Sequence, residues 1–90
     1  MNNTRRKQIA KIQQQLQELK DKLESLNEDI DVLRDEEQEA YDNLPESLQE
    51  AERGENMYEA IENLENAYND MEDLMDSIEN VDSYLESAKE

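Results

Sequence analysis

The feature that most constrains this chain is an apolar repeat in its first half. The repeat alternates spacings of three and four residues, and its members are Ile9, Ile12, Leu16, Leu19, Leu23, Leu26, Ile30 and Leu33. This is the a/d heptad pattern of a coiled coil, in which apolar residues line a narrow seam along one side of a helix. Because an isolated helix with such a seam is marginal in water, the repeat predicts a long helix packed against a second helix.

A break in the helical pattern follows this repeat. The first helix is predicted over residues 4–41, and the only proline and the only glycine, Pro45 and Gly54, come after it. Proline disfavours helical geometry in the residue that precedes it and suits the first turn of a new helix. Residues 42–54 are therefore predicted to form a tip with one short helix, which ends at Gly54 as a left-handed cap.

A second long helix is predicted over residues 55–88, and its apolar stripe is broader. Its central column repeats every seven residues, with one column on each side of it. The central column is Met57, Leu64, Met71, Ile78 and Leu85, and the flanking columns are Ile61, Tyr68 and Met75, and Ala60, Ala67, Leu74, Val81 and Ala88. Three apolar positions in seven are typical of a helix with more than one neighbour. This width predicts oligomerisation through the second helix.

Together these patterns predict an all-α chain with a single domain over residues 1–90. Two helices of similar length with a short connection favour an antiparallel, coiled-coil-like hairpin, and we expect two copies to form a homodimeric four-helix bundle. Charge supports the antiparallel arrangement, because it places a basic cluster beside an acidic cluster and each offsets the unfavourable helix dipole of the other. The clusters are Arg5, Arg6, Lys7 and Lys11, and Glu79, Asp82, Glu86 and Glu90.

The composition argues against catalysis. The chain has no histidine and no cysteine, so Ser-His and Cys-His arrangements and thiolate metal sites are excluded. One glycine cannot build a phosphate-binding loop, and a two-helix hairpin offers a carboxylate no pocket that would shift its pKa toward neutrality. We expect no enzyme activity, no cofactor, no metal site and no small-molecule substrate.

The most suggestive functional feature is the density of acidic residues. The chain has 26 acidic and 9 basic residues, with a formal net charge of −17. A rigid acidic rod resembles a nucleic-acid backbone and could occupy the basic groove of a nucleic-acid-binding protein. The alternative is that these acids only keep a coiled coil soluble. The predicted protein-binding residues are Glu55, Glu59, Glu62, Glu65, Asp70, Glu72, Asp73 and Asp76 on the second helix, and Tyr41, Leu44, Leu48 and Tyr58 near the tip.

Other partner classes are disfavoured by the same charge distribution. Residues 1–22 carry six bases and two acids, but the acidic remainder would repel nucleic acid, so we expect no direct nucleic-acid binding. No stretch approaches the roughly 20 apolar residues of a membrane span, and no apolar segment follows the basic N-terminus as in a secretory signal. We therefore expect a cytoplasmic protein.

The tip sequence carries a family resemblance. The stretch over residues 36–49, EEQEAYDNLPESLQ, followed by ERGE at residues 52–55, resembles small acidic uncharacterised proteins of phages and prophages of Gram-positive bacteria. The resemblance extends more loosely to the basic N-terminus and to the start of the second helix at Met57. It implies a phage accessory protein in a host cytoplasm, and the family brings no assigned activity.

Two functions of different classes follow from these features. The first is a DNA-mimic inhibitor or modulator that presents its acidic helical surface to a basic host protein. The second is a structural or assembly coiled coil whose apolar columns bind partner helices. Salt discriminates between them, since binding through charge weakens steeply as salt rises while apolar packing does not.

Overall fold

A computed structural model describes all 90 residues as a helical hairpin. Helix α1 spans Asn3–Asp42, the short helix α2 spans Glu46–Gln49, and helix α3 spans Glu52–Ala88. The two long helices pack antiparallel, so the predicted all-α hairpin with a short helical tip is confirmed. The Cα atoms occupy a rod of 68 × 16 × 13 Å. Neither long helix contains a segment apolar enough, over a sufficient length, to cross a membrane.

Local sequence explains where α1 and α2 begin. The side chain of Asn2 caps α1 by accepting a hydrogen bond from the backbone N–H of Arg5 at 2.8 Å, which satisfies one of the free amides of the first turn. Pro45 directly precedes α2, and its carbonyl oxygen accepts hydrogen bonds from the backbone N–H groups of Leu48 and Gln49. The tip is thus one turn of helix between two short turns, at residues 43–44 and 50–51.

The prediction that Gly54 is a left-handed helix cap is wrong. No glycine in the chain has a positive φ, and Gly54 lies inside α3, which begins two residues earlier at Glu52. Gly54 is buried against the backbone of Gln49, where any Cβ atom would collide with the carbonyl group. Glycine is required here because two backbone segments approach closely where the tip folds onto α3.

The predicted seam of α1 is only half correct. Ile9, Leu16, Leu23 and Ile30 pack against α3, with Ile9 only 9% exposed. The other four members are about half exposed, between 45% and 53%, and they are Ile12, Leu19, Leu26 and Leu33. The second packed column of α1 is polar instead, and consists of Arg6, Gln13, Lys20, Asn27, Arg34 and Tyr41. Helix α1 is therefore rotated by one column from the predicted orientation.

Helix α3 packs through two of its three apolar columns. The column from Met57 to Leu85 and the column that contains Ile61, Tyr68 and Met75 face α1. Ile61 and Ile78 are 4% and 9% exposed, and with Ile9 they form the buried apolar core. A core this small is what two helices without a third layer provide.

Few polar contacts join the two long helices toward the open end of the hairpin. Arg6 donates a hydrogen bond of 2.7 Å to the carbonyl oxygen of Lys89. Of the four ion pairs in the chain, only Lys20 with Glu79 joins the two long helices. The antiparallel arrangement brings the predicted basic and acidic clusters to the same end of the hairpin, but none of Arg5, Arg6, Lys7 and Lys11 forms an ion pair.

Candidate protein-binding surfaces

The predicted acidic residues of α3 are all exposed to solvent. None of them occupies a column that packs against α1. They therefore lie on the side of α3 that faces away from α1, or beside the edge of the α1–α3 interface. The eight residues are Glu55, Glu59, Glu62, Glu65, Asp70, Glu72, Asp73 and Asp76. The fold thus leaves these carboxylates free to meet a partner without first breaking an internal ion pair.

The hairpin divides its charge unequally along its length. We call residues 23–75 the tip half, and residues 1–22 together with 76–90 the open half. Residues 1–22 carry six bases and two acids, and residues 76–90 carry one base and five acids, so the open half has no net charge. The tip half carries 19 acids and two bases, and therefore holds the entire net charge of −17. The antiparallel packing predicted from the sequence sets residues 76–90 beside the basic N-terminal segment, and this is why the charges of the open half cancel.

An exposed apolar surface runs along one side of the hairpin, and we call it the apolar flank. Each member directly precedes a residue of a packed column, as Leu26 precedes Asn27 and Leu74 precedes Met75. Because α1 and α3 run in opposite directions, these equivalent positions fall on the same side of the pair. The apolar flank consists of Ile12, Leu19, Leu26 and Leu33 from α1, and Ala60, Ala67, Leu74, Val81 and Ala88 from α3, all exposed except the half-buried Ala60.

The residues of the apolar flank were all predicted to be buried, but in two different roles. The α3 members were predicted to serve oligomerisation, and the α1 members were placed in the hairpin seam. Helix α1 therefore has three columns that pack or form the flank, as α3 does. An apolar column and a polar column pack against α3, and a second apolar column lies on the flank. The perfect three-four spacing of α1 hid this, because it predicts that the two apolar columns pack together and gives no sign that a polar column takes the place of one of them.

The opposite side of the hairpin is polar and carries the contacts between charged side chains. Lys20 donates a hydrogen bond to Glu79, and this bond raises the pKa of Lys20. Gln13 donates a hydrogen bond of 2.9 Å to Glu86, and this bond, with a contribution from Lys89, lowers the pKa of Glu86. Both shifts favour the charged forms that these groups already have at neutral pH.

Tyr68 and Arg34 form a contact between the two long helices on this polar side. The Arg34 guanidinium lies 5.7 Å from the centre of the Tyr68 ring, a cation–π distance, and Arg34 also pairs with Asp31. The neighbouring carboxylate of Glu72 is the main cause that raises the pKa of Tyr68, since it disfavours a phenolate. This cluster joins α1 to α3 within the part of the rod nearer the tip.

The predicted tip residues come together only in part. Tyr41 and Tyr58 are neighbours across the hairpin, with ring centroids 6.2 Å apart and ring planes inclined by 53°. The Gln49 side chain donates a hydrogen bond of 2.9 Å to the Tyr41 carbonyl oxygen and ties α2 to the end of α1. Leu44 is half-buried, whereas Leu48 is 41% exposed and faces solvent. Tyr58 and Leu48 are thus the apolar groups that the tip offers to a partner.

The chain contains no cluster of three or more acidic side chains arranged to hold a metal ion. Asp29, Asp31, Asp35 and Glu36, whose spacing resembles part of a calcium loop, all lie on helix α1. A helix directs these side chains to different sides instead of toward a common centre.

No protein-family model, no curated protein and no solved structure matches this chain. The resemblance to phage proteins therefore stays a prediction.

Proposed function

We propose that this protein is a non-enzymatic protein-binding module whose acidic tip half binds a basic nucleic-acid-binding protein in place of nucleic acid. The observation that carries this proposal is the concentration of the whole net charge of −17 in residues 23–75. These residues occupy about half of a rod whose Cα atoms extend 68 Å. The tip half therefore carries one net negative charge per roughly 2 Å, against one per about 1.7 Å for duplex DNA.

The shape of the surface supports the same proposal. A helix pair 16 × 13 Å across at its Cα atoms is a narrow, stiff rod, and duplex DNA is likewise a narrow, stiff rod. The carboxylates of α3 are exposed, so a basic groove could contact them without a change of fold. Rigid presentation lowers the entropic cost of binding, because no backbone segment needs to be ordered.

The proposed biological setting comes from the sequence resemblance. A phage or prophage accessory protein in the cytoplasm of its host would act as an inhibitor or modulator of a host protein. Nucleases and transcription proteins are the kinds of partner that have a suitable basic groove.

The pKa shifts fit a binding role better than acid–base catalysis. The pKa is raised for Lys20 and Tyr68 and lowered for Glu86. Each shift favours the ordinary protonation state at pH 7, whereas a general acid or base needs a pKa moved toward the working pH.

Affinity capture from a Gram-positive host lysate at 50 and 200 mM salt tests this proposal. We expect nucleic-acid-binding proteins to be retained at low salt, and to be released at high salt or by added duplex DNA. The triple variant Glu55→Gln, Glu59→Gln, Glu62→Gln should lose most of the binding.

The matched control removes the same charge from the open half, through Glu18→Gln, Asp21→Asn and Glu90→Gln, and should bind like the wild type. Capture that persists at 200 mM salt and in the presence of duplex DNA would contradict mimicry. Equal losses in both triple variants would show that total charge matters and its placement does not.

A structural or assembly role is the second candidate, and the apolar flank favours it. Six large apolar side chains on this flank are between 45% and 53% exposed, and they form one continuous strip. Binding of partner helices to this strip would hold or strengthen as salt rises, because apolar burial is not screened. The salt series above therefore separates the two functions.

A further inference from the structure

The apolar flank is a large exposed apolar surface for an isolated hairpin. Its six large side chains are about half exposed. With the alanines they present on the order of 500 Å² of apolar surface, at the upper end of the patches that monomers tolerate. Two such flanks face to face would bury about 1,000 Å², the area at which specific interfaces begin, before any flanking residue is counted.

The flank has an approximate internal symmetry. The α1 column of Ile12, Leu19, Leu26 and Leu33 has its midpoint between Leu19 and Leu26, and the α3 column from Ala60 to Ala88 has its midpoint at Leu74. A two-fold axis that passes through both midpoints would map each column onto itself.

The register of the hairpin places these two midpoints at the same level. Lys20 contacts Glu79, and Asn27 contacts the carbonyl oxygen of Tyr68. Along the rod axis, the point midway between Lys20 and Asn27 on α1 therefore lies beside the point midway between Tyr68 and Glu79 on α3. By this register, the middle of the α1 column lies within about one residue, some 1.5 Å, of Leu74. One axis perpendicular to the rod therefore satisfies both columns, which is what a self-complementary interface requires.

Charge decides between the two ways in which a second copy could face this flank. With both tips at the same end, two halves that each carry −17 would lie together. With the tips at opposite ends, each acidic tip half lies against an open half that has no net charge. The second arrangement avoids the repulsion, and it is also the one that the perpendicular axis generates.

We propose that a second copy of this chain covers the apolar flank, in a two-fold dimer whose acidic tips point to opposite ends. Leu74 of each copy meets Leu74 of the other at the axis, and Leu19 packs against Leu26. At the edges of the flank Ile12 meets Leu33, and on α3 Ala67 meets Val81. The resulting four-helix bundle carries its negative charge along the whole rod instead of one half. This inference does not depend on the proposed function.

A pair of adjacent residues provides a matched test of the interface. Leu33 lies on the flank and is 53% exposed, whereas Val32 lies on the outer side of α1 and is 54% exposed. In sedimentation equilibrium we expect a wild-type dimer, at least a tenfold weaker dimer for Leu33→Gln, and an unchanged dimer for Val32→Gln, because only the first change lies in the interface. Circular dichroism checks that each variant keeps its helical content, as expected for residues already exposed in the hairpin.

Single cysteine variants test the orientation, since the chain has no cysteine of its own. Spin labels at Ser47→Cys, in the tip, should be separated by a distance that approaches the 68 Å length of the rod. Labels at Ser77→Cys, near the axis, should be less than about 30 Å apart, as neighbouring helices of a bundle are. A monomer at all concentrations overturns the proposal, as does a dimer unaffected by Leu33→Gln. A short distance between Ser47→Cys labels overturns the orientation.

Discussion

Asn27 is the one polar side chain buried between the two long helices, at 4% exposure, and its replacement by leucine should stabilise the hairpin. Its amide nitrogen donates a hydrogen bond of 3.3 Å to the Tyr68 carbonyl oxygen, longer than the usual range. Its amide oxygen is buried without any hydrogen-bond partner. A buried polar atom without a partner costs about 1 to 3 kcal/mol, while a typical hydrogen bond contributes only about 1 kcal/mol.

Asn27→Leu removes that unpaired oxygen and adds apolar burial beside Leu23 and Ile30. We expect the free energy of unfolding to rise by about 1 to 3 kcal/mol. For a domain of this size each kcal/mol corresponds to a rise of about 4 to 8 °C in Tm. Leucine is also a better helix former than asparagine by roughly 0.5 kcal/mol, so part of any gain would come from propensity alone.

Thermal melts followed by circular dichroism at 222 nm measure this effect at one fixed protein concentration. Asn66→Leu is the matched control, because Asn66 is exposed on the outer side of α3 and reports the propensity gain alone. The Tm of Asn27→Leu should exceed that of Asn66→Leu by several degrees. An Asn27→Leu protein that melts at or below the wild-type temperature would refute the reasoning, since it would mean that the hydrogen bond to Tyr68 outweighs the unpaired oxygen.

Three further predictions concern Gly54, Glu86 and the net charge of the chain. Gly54→Ala should lower the free energy of unfolding by about 1 to 3 kcal/mol despite the better helix propensity of alanine, because the new Cβ collides with Gln49; a rise in Tm would contradict this. The lowered pKa of Glu86 stabilises the fold above its unfolded pKa near 4.5, and this contribution disappears as the pH falls through the folded value. The Tm difference between wild type and Glu86→Gln should therefore shrink between pH 6 and pH 3, and a constant difference would show that the Gln13 contact does not act through charge. Finally, added salt should raise the Tm of the wild type, because it screens self-repulsion at a net charge of −17; a falling Tm from 20 to 200 mM salt would show that attractive pairs dominate.

The hairpin could be predicted from local features because each of them acts over a short range. The three-four spacing defines a helix, Pro45 ends the first helical segment, and two helices of 40 and 37 residues joined by a short tip must pack antiparallel. The role of Gly54 could not be predicted in this way. It depends on how the tip folds back onto α3 at Gln49, which is a contact between segments and not a property of either one.

The candidate binding surfaces, too, could be predicted only in part from the sequence. Three apolar columns on α3, an excess of acids and a cluster of bases near the N-terminus can all be recognised without the structure. Which columns of α1 face α3 could not be predicted, because a heptad pattern favours the two apolar columns as the packed pair, whereas the observed second packed column is polar. Packing placed Lys20 and Asn27 against α3 and left Leu19 and Leu26 outside. The sequence of a helix specifies which side chains lie together on one face of that helix, whereas packing against the partner helix specifies which face is buried.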